Sequence, residues 1–239
     1  MSLVRDKTDG GEQDMTKIEE FENRVRKSGM TEEGLKEYEK LLRRVRGNGS
    51  RRQHCWNTAV SFPSDRTEEA VSLIRWGLEQ YPDSWYSTYM SHYIIGQIYE
   101  RGGKWQAAHD AYLLAYDALG EEQTAYHEKL SGDLLWTLLH IDGFQYSDKL
   151  RAYYDSFRKI DDFHAAFVNC AFRLAVAELV IALHDGDNET AKKAYDKAKT
   201  MAEPGFVSRI QGVLERHRAT DRLKANTKEC AQFLKSLRM

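Results

Sequence analysis

The chain reads as all-α, an antiparallel helix-pair solenoid of about 12 helices. Three observations carry that expectation. Only three prolines fall in 239 residues, so long stretches lack the strongest helix breaker. β-branched residues are few, and no segment alternates apolar and polar positions between turn residues as a half-buried strand would. A beat of small residues then recurs three times, as Ala70-x3-Ile74-x2-Gly77, Ala108-x3-Tyr112-x2-Ala115 and Ala191-x3-Tyr195-x2-Ala198. Each beat sits late in a pair of apolar helical stretches, and small side chains at that spacing mark close helix approach.

Residues 1–14 are charged and glycine-containing and are expected to be disordered. Two helices are predicted over 15–28 and 31–46. Thr31 suits the N-cap of the second, and Glu32 and Glu33 suit the positive end of its dipole. Asn48-Gly49 reads as a break. Paired helices follow over 51–62 with 66–80, 85–101 with 104–118, 125–141 with 146–158, and 162–184 with 188–202. Asp65-x-x-Glu68 resembles a capping box, and Asp187 is placed to cap the helix over 188–202. Gly102-Gly103 and Asp185-Gly186 read as turns between paired helices. Helices over 205–217 and 220–237 finish the chain. Leu223, Cys230, Phe233 and Leu237 line one side of the last, which is expected to cap the final pair. Residues 15–239 are read as one domain, with a helix pair over 15–46, repeats over 51–204 and capping helices over 205–239.

His92-x2-Ile95-Gly96-x2-Tyr99 precedes the middle beat, and the two together resemble the tetratricopeptide repeat (TPR) pattern W-x2-L-G-x2-Y followed by A-x3-F. The resemblance covers residues 51–204. It departs from the family where His92 replaces the tryptophan and where the helices around Thr58 and Leu179 lack the glycine. The beats stand 38 and then 83 residues apart (70 to 108 to 191), against a family period of about 34. The longer interval reads as two stretched repeats, the unseen one over 125–158. In this reading Gly96 and Ala108 sit at the closest approach, and Ile95, Tyr99 and Tyr112 fill the space between the helices. Pro82 stands where the family ends its second helix, and Pro204 one residue late.

The resemblance implies a docking surface rather than chemistry, with a concave groove lined by the first helix of each repeat. Carried over by position, groove residues are Arg52, Cys55 and Ala59 in the first copy and Met90, Tyr93, Gln97 and Arg101 in the second. The third contributes Leu134 and Leu138, and the last Arg173, Val176 and Val180. The early groove is basic and aromatic and the later one aliphatic. Tyr86, Tyr89 and Tyr93 add an aromatic stripe at helical spacing, and Trp85 stands just ahead of it.

Composition narrows the partner class. Residues 1–50 balance at 11 basic and 11 acidic; residues 53–207 carry 14 basic and 23 acidic; residues 208–239 carry 8 basic and 3 acidic. An acidic middle repels a phosphate backbone, so nucleic acid is disfavoured despite Arg43, Arg44, Arg46, Arg51 and Arg52, which fall within ten residues free of acids. No apolar run approaches the ~20 residues of a membrane span, the first fifteen residues do not resemble a signal peptide, and three cysteines are too few and scattered for a disulfide framework. A cytoplasmic location and no membrane association are expected.

No catalytic motif of useful specificity is present: no glycine-rich phosphate loop, HExxH, GxSxG or paired CxxC. His184-Asp185-Gly186-Asp187 is the most metal-like string and reads as turn chemistry. Asp161-Asp162-Phe163-His164 reads as a helix start, Cys170 as core, and Cys55 beside Arg51, Arg52 and His54 as a candidate low-pKa thiol. The expectation is a non-enzymatic, cofactor-free adaptor that binds a peptide or protein, with Arg52, Met90, Tyr93, Gln97, Arg101, Leu138, Arg173, Val176 and Val180 on its binding face. The alternatives are a metal-assisted hydrolase using His164, His184, Asp185 and Asp187, and an RNA-binding helical repeat. Homodimerisation is compatible with the sequence.

Overall fold

The structure, a computed structural model, describes residues 9–119, 124–157 and 168–202. Among the described residues it holds ten α-helices and one 3-10 turn and no strand, so the all-α expectation holds. The helices are α1 (Asp9–Ser28), α2 (Glu32–Leu42), α3 (Asn48–Val60), α4 (Thr67–Gln80), α5 (Trp85–Arg101), α6 (Trp105–Asp117), α7 (Thr124–Ile141), α8 (Asp148–Phe157), α9 (Val168–Asp185) and α10 (Asn188–Ala202). The segments 205–217 and 220–237, read as helices, lie outside the described residues. Contacts divide the chain into two compact units, Met1–Gly120 and Glu121–Met239.

In the first unit, α1 starts at Asp9, inside the stretch expected to be disordered. It buries Ile18, Phe21 and Val25, one helical stripe, and Phe21 stacks on Tyr38 of α2 at 4.9 Å. Gly29, at φ +95°, ends it. Thr31 caps α2 as expected, its hydroxyl accepting the Gly34 N–H at 3.0 Å. That helix stops at Leu42, short of residue 46, because the chain turns through Arg43–Val45 to Gly47 at φ +84°. The break is therefore at Gly47, and Asn48 and Gly49 open α3. The Asn48 amide donates to the Pro82 carbonyl at 2.8 Å, and Gly49 lies so close to Asp83 that a Cβ would stand 2.6 Å from its carboxylate. The expected capping box does not form: Asp65 sits in the 3-10 turn Ser64–Arg66, α4 has no side-chain cap, and Glu68 turns to Lys104 Nζ at 2.6 Å.

Helices α3 and α4 pack together, as do α5 and α6, while α5 also touches both α4 and α3. Gly77 of α4 meets α3 where a Cβ would come 2.9 Å from Cys55 Sγ. Gly96 of α5 meets α6 where a Cβ would enter the ring of Tyr112. Ala108, Ala111 and Ala115 of α6 are all buried.

The second unit repeats this order: α7 with α8, α9 with α10, and α9 on both α8 and α7. Its first pair fills the interval where an unseen repeat was placed. Three pairs close in the same way. After α5, α7 and α9 a glycine takes φ between +60° and +74° (Gly103, Gly143, Gly186), and the next residue donates its N–H five residues back. These bonds are Lys104 to Tyr99 at 2.9 Å, Phe144 to Leu139 at 2.6 Å and Asp187 to Ala182 at 2.9 Å. This double turn satisfies helix-end carbonyls, and a side chain at the glycine would be strained. Asp187 then caps α10 as expected, accepting the Thr190 N–H at 3.0 Å.

Candidate functional site

Arginines distant in sequence hold the carbonyl ends of helices in the first unit. Arg66 donates to the Val25 and Arg26 carbonyls ending α1, at 3.3 and 3.2 Å. Arg51 donates from Nε to the Leu42 and Val45 carbonyls after α2, both at 3.0 Å. Arg101 reaches the Val60 and Phe62 carbonyls after α3 at 2.8 and 2.9 Å. Arg52 donates to the Tyr81 carbonyl after α4 at 2.6 Å and contacts the Leu78 carbonyl and the Thr88 hydroxyl, each at 3.4 Å. A guanidinium suits this task because its fork spans several acceptors and its charge meets the negative end of the helix dipole. Arg52 is 3 % exposed, and burial lowers its pKa despite the nearby Asp83 carboxylate.

These clamps take two members of the arginine cluster inside the fold. Arg51 and Arg52 are internal ties, Arg43 pairs with Glu39 at 2.7 Å, and Arg44 and Arg46 remain on the surface. Arg101 spends its donors on α3. The other predicted groove residues also move. Tyr93 is buried between Tyr89 and Tyr112, with both ring centroids at 5.7 Å. Cys55, Ala59, Leu134, Leu138, Val176 and Val180 are buried. Arg173 is buried against Asp133 of α7. Met90 and Gln97 are half-buried and keep access to solvent. Burial pushes the Cys55 thiol up to about 12, the opposite of an activated nucleophile; the nearby Arg52 charge opposes this only weakly.

The metal-like string has other work. The His184 ring lies flat on Tyr146, with centroids 3.6 Å apart, and both carboxylate oxygens of Asp185 accept from Arg151 Nη2, at 2.5 and 2.6 Å, while Arg151 Nε donates to the Tyr146 hydroxyl at 3.3 Å. Asp187 is the α10 cap, and the Thr190 N–H and hydroxyl hold its carboxyl below the usual range. His164, Asp161 and Asp162 lie outside the described residues. Among the described residues no three His, Cys, Asp or Glu side chains converge as a metal site would need.

The contacts leave a different strip on α3. Arg52 and Trp56 face α5, with the Trp56 indole donating to Ser91 Oγ at 2.9 Å; Cys55 faces α4; Thr58 shares its hydroxyl with Tyr38 of α2 at 2.8 Å. What remains is Ser50, Gln53, Asn57 and Val60, all exposed and spaced for one helix face. On α5, Ser91 meets α3 and Gly96 meets α6; Met90 and Gln97 lie along one side with Tyr86, which packs on Trp85 and Tyr89. The two strips belong to helices in contact, joined at their ends by Arg101 on the α3 carbonyls. They carry no ionisable group except the phenol of Tyr86 and offer amides that both donate and accept, beside Val60 and Met90.

Of the residues chosen from the sequence, Met90 and Gln97 lie on the accessible side of α5, whereas Arg52, Cys55 and Ala59 of α3 are buried and their neighbours Gln53 and Val60 are exposed. One residue is a rotation of about 100° on a helix. The polar character of Gln53 and Asn57 between buried neighbours was the available signal. Comparison of the chain with protein-family models, curated proteins and solved structures finds no match to any of them.

Proposed function

We propose that the chain is a TPR-like helical-hairpin solenoid that acts as a non-enzymatic adaptor, holding a peptide or protein segment on the face made by α3 and α5. The observation that carries this reading is the repeated hairpin: Gly77 against Cys55, Gly96 against Tyr112, and three turns closed alike at Gly103, Gly143 and Gly186. Stacked hairpins of this kind leave their first helices side by side, and such faces serve as extended docking surfaces. The contact of α3 with α5 and of α7 with α9 supports the same order in both units. Gln53, Asn57, Val60, Met90 and Gln97 are the contact residues of this proposal, and a cytoplasmic location goes with it.

The test substitutes long cations on the strip, Asn57→Arg with Met90→Arg, in protein whose helix content and Tm match wild type. The control is Ser72→Arg with Glu79→Arg on the exposed side of α4. Capture of a partner from the source lysate by wild type and control, lost in the strip variant, supports the reading. Capture by all three, or by none, removes it.

A further inference from the structure

Helices α7 and α9 carry little information in their apolar pattern about which way each faces. Every residue of α7 from Leu130 to Leu139 is buried, and every residue of α9 from Phe172 to Ala182 except Leu174 and Glu178. Apolar side chains thus occur all round both helices. Rotating one, or sliding it by a turn of about 5.4 Å, exchanges Leu for Leu or Ala for Val at most positions at small transfer cost, the exception being Trp136, which such a slide brings to the place of Gly132. Hydrophobic burial alone leaves several packings close in free energy.

One feature breaks this degeneracy. Asp133 is the only charged residue of 130–139, and Arg173 the only cation of 172–182. They form an ion pair inside the core, with side chains 4 % and 1 % exposed, and the guanidinium lies 5.4 Å from the centroid of Trp136. Trp136 is itself fully buried and packs on Phe172 of α9 at 5.9 Å. A buried ion pair adds little over apolar residues of the same volume, because desolvation offsets attraction, whereas a buried charge separated from its partner is strongly disfavoured. Each wrong rotation or offset would create that separation.

We propose that the Asp133–Arg173 pair is a register lock, selecting the one rotation and axial offset at which α7 packs on α9 while adding little to the stability of that packing.

The test uses the full chain labelled with 5-fluorotryptophan. Trp136 is the one tryptophan of the second unit, and Trp56, Trp76, Trp85 and Trp105 all belong to the first, so four resonances serve as internal controls. In Asp133→Leu with Arg173→Met, Tm stays within about 5 °C of wild type or rises. The Trp136 fluorine line, assigned by its loss in Trp136→Phe, splits or broadens at least about twofold as several packings are populated, while the other four keep their widths. Asp133→Leu alone, which leaves Arg173 buried without its carboxylate, melts about 10 °C or more below the double variant. One sharp Trp136 line in the double variant overturns the proposal. So does a double variant that no longer folds, which would make the pair a source of stability, or a single variant as stable as the double, which would remove the penalty on mismatch.

Discussion

Gly96 shows how one missing side chain decides a contact. Any Cβ there would enter the Tyr112 ring, whose hydroxyl is tied to Glu100 at 2.6 Å and whose face meets Tyr93. The ring is held at both ends and has little room to withdraw. Gly96→Ala is expected to lower unfolding free energy in urea by about 1–3 kcal/mol, more than the helix-propensity gain of roughly 1 kcal/mol. Gly77 faces a smaller obstacle, Cys55 Sγ at 2.9 Å from the added carbon. Gly77→Ala should therefore destabilise alone and recover when Cys55→Ala removes the sulfur, a coupling that a double-mutant cycle reads directly.

His92 makes a prediction about pH. Burial first, then the cations Arg75 and Arg52, lower its pKa from the ordinary 6.5. The unfolded chain then binds more protons than the folded one between the folded and the unfolded value. Stability is retained above about pH 6.5 and falls as pH drops through that window. His92→Gln should flatten this part of the stability–pH curve, and urea titrations at pH 7.5 and 5.5 measure it. An equal loss in the variant would assign the slope to other groups.

At the scale of elements, the ends of helices are settled by distant residues. Arg101 lies about forty positions from the Val60 and Phe62 carbonyls it holds, and Arg52 about thirty from Tyr81. Arg101→Ala releases two carbonyls, one partly buried, and is expected to cost about 1–3 kcal/mol. Arg101→Lys should recover only part of this, because a single ammonium does not present the planar fork. The turns obey local rules instead. Gly143→Ala and Gly186→Ala, at φ +60° and +74° with open space around them, should each cost about 1–2 kcal/mol through backbone strain alone.

At the scale of the whole molecule, burial is uneven within each unit. In the second, α7 and α9 are enclosed nearly all round, whereas α10 exposes Lys192, Lys193, Lys197 and Lys199. Hydrogen exchange should therefore be slowest in the middles of α7 and α9 and faster in α10. Exchange in α10 as slow as in α9 would show that the two open only together.

Helix positions were legible in the chain because they depend on local period, caps and glycines. The α5 bounds agree from Trp85 to Arg101, Thr31 and Asp187 cap as read, and Gly103 and Gly186 turn as read. Local signals misplaced the break at Asn48 and the cap at Asp65, where contacts with Pro82, Asp83 and Lys104 take part. The face that each helix turns outward was not legible. Arg52 and Gln53 are neighbours in sequence, yet one ties down α4 and the other meets solvent. The amino-acid sequence by itself determined that the chain would pair helices and where they would run, since those free energies arise within a few residues. Which residues ended inside was decided only by the tertiary structure, because a helix's rotation is set by carbonyls, rings and charges brought to it from thirty or forty residues away.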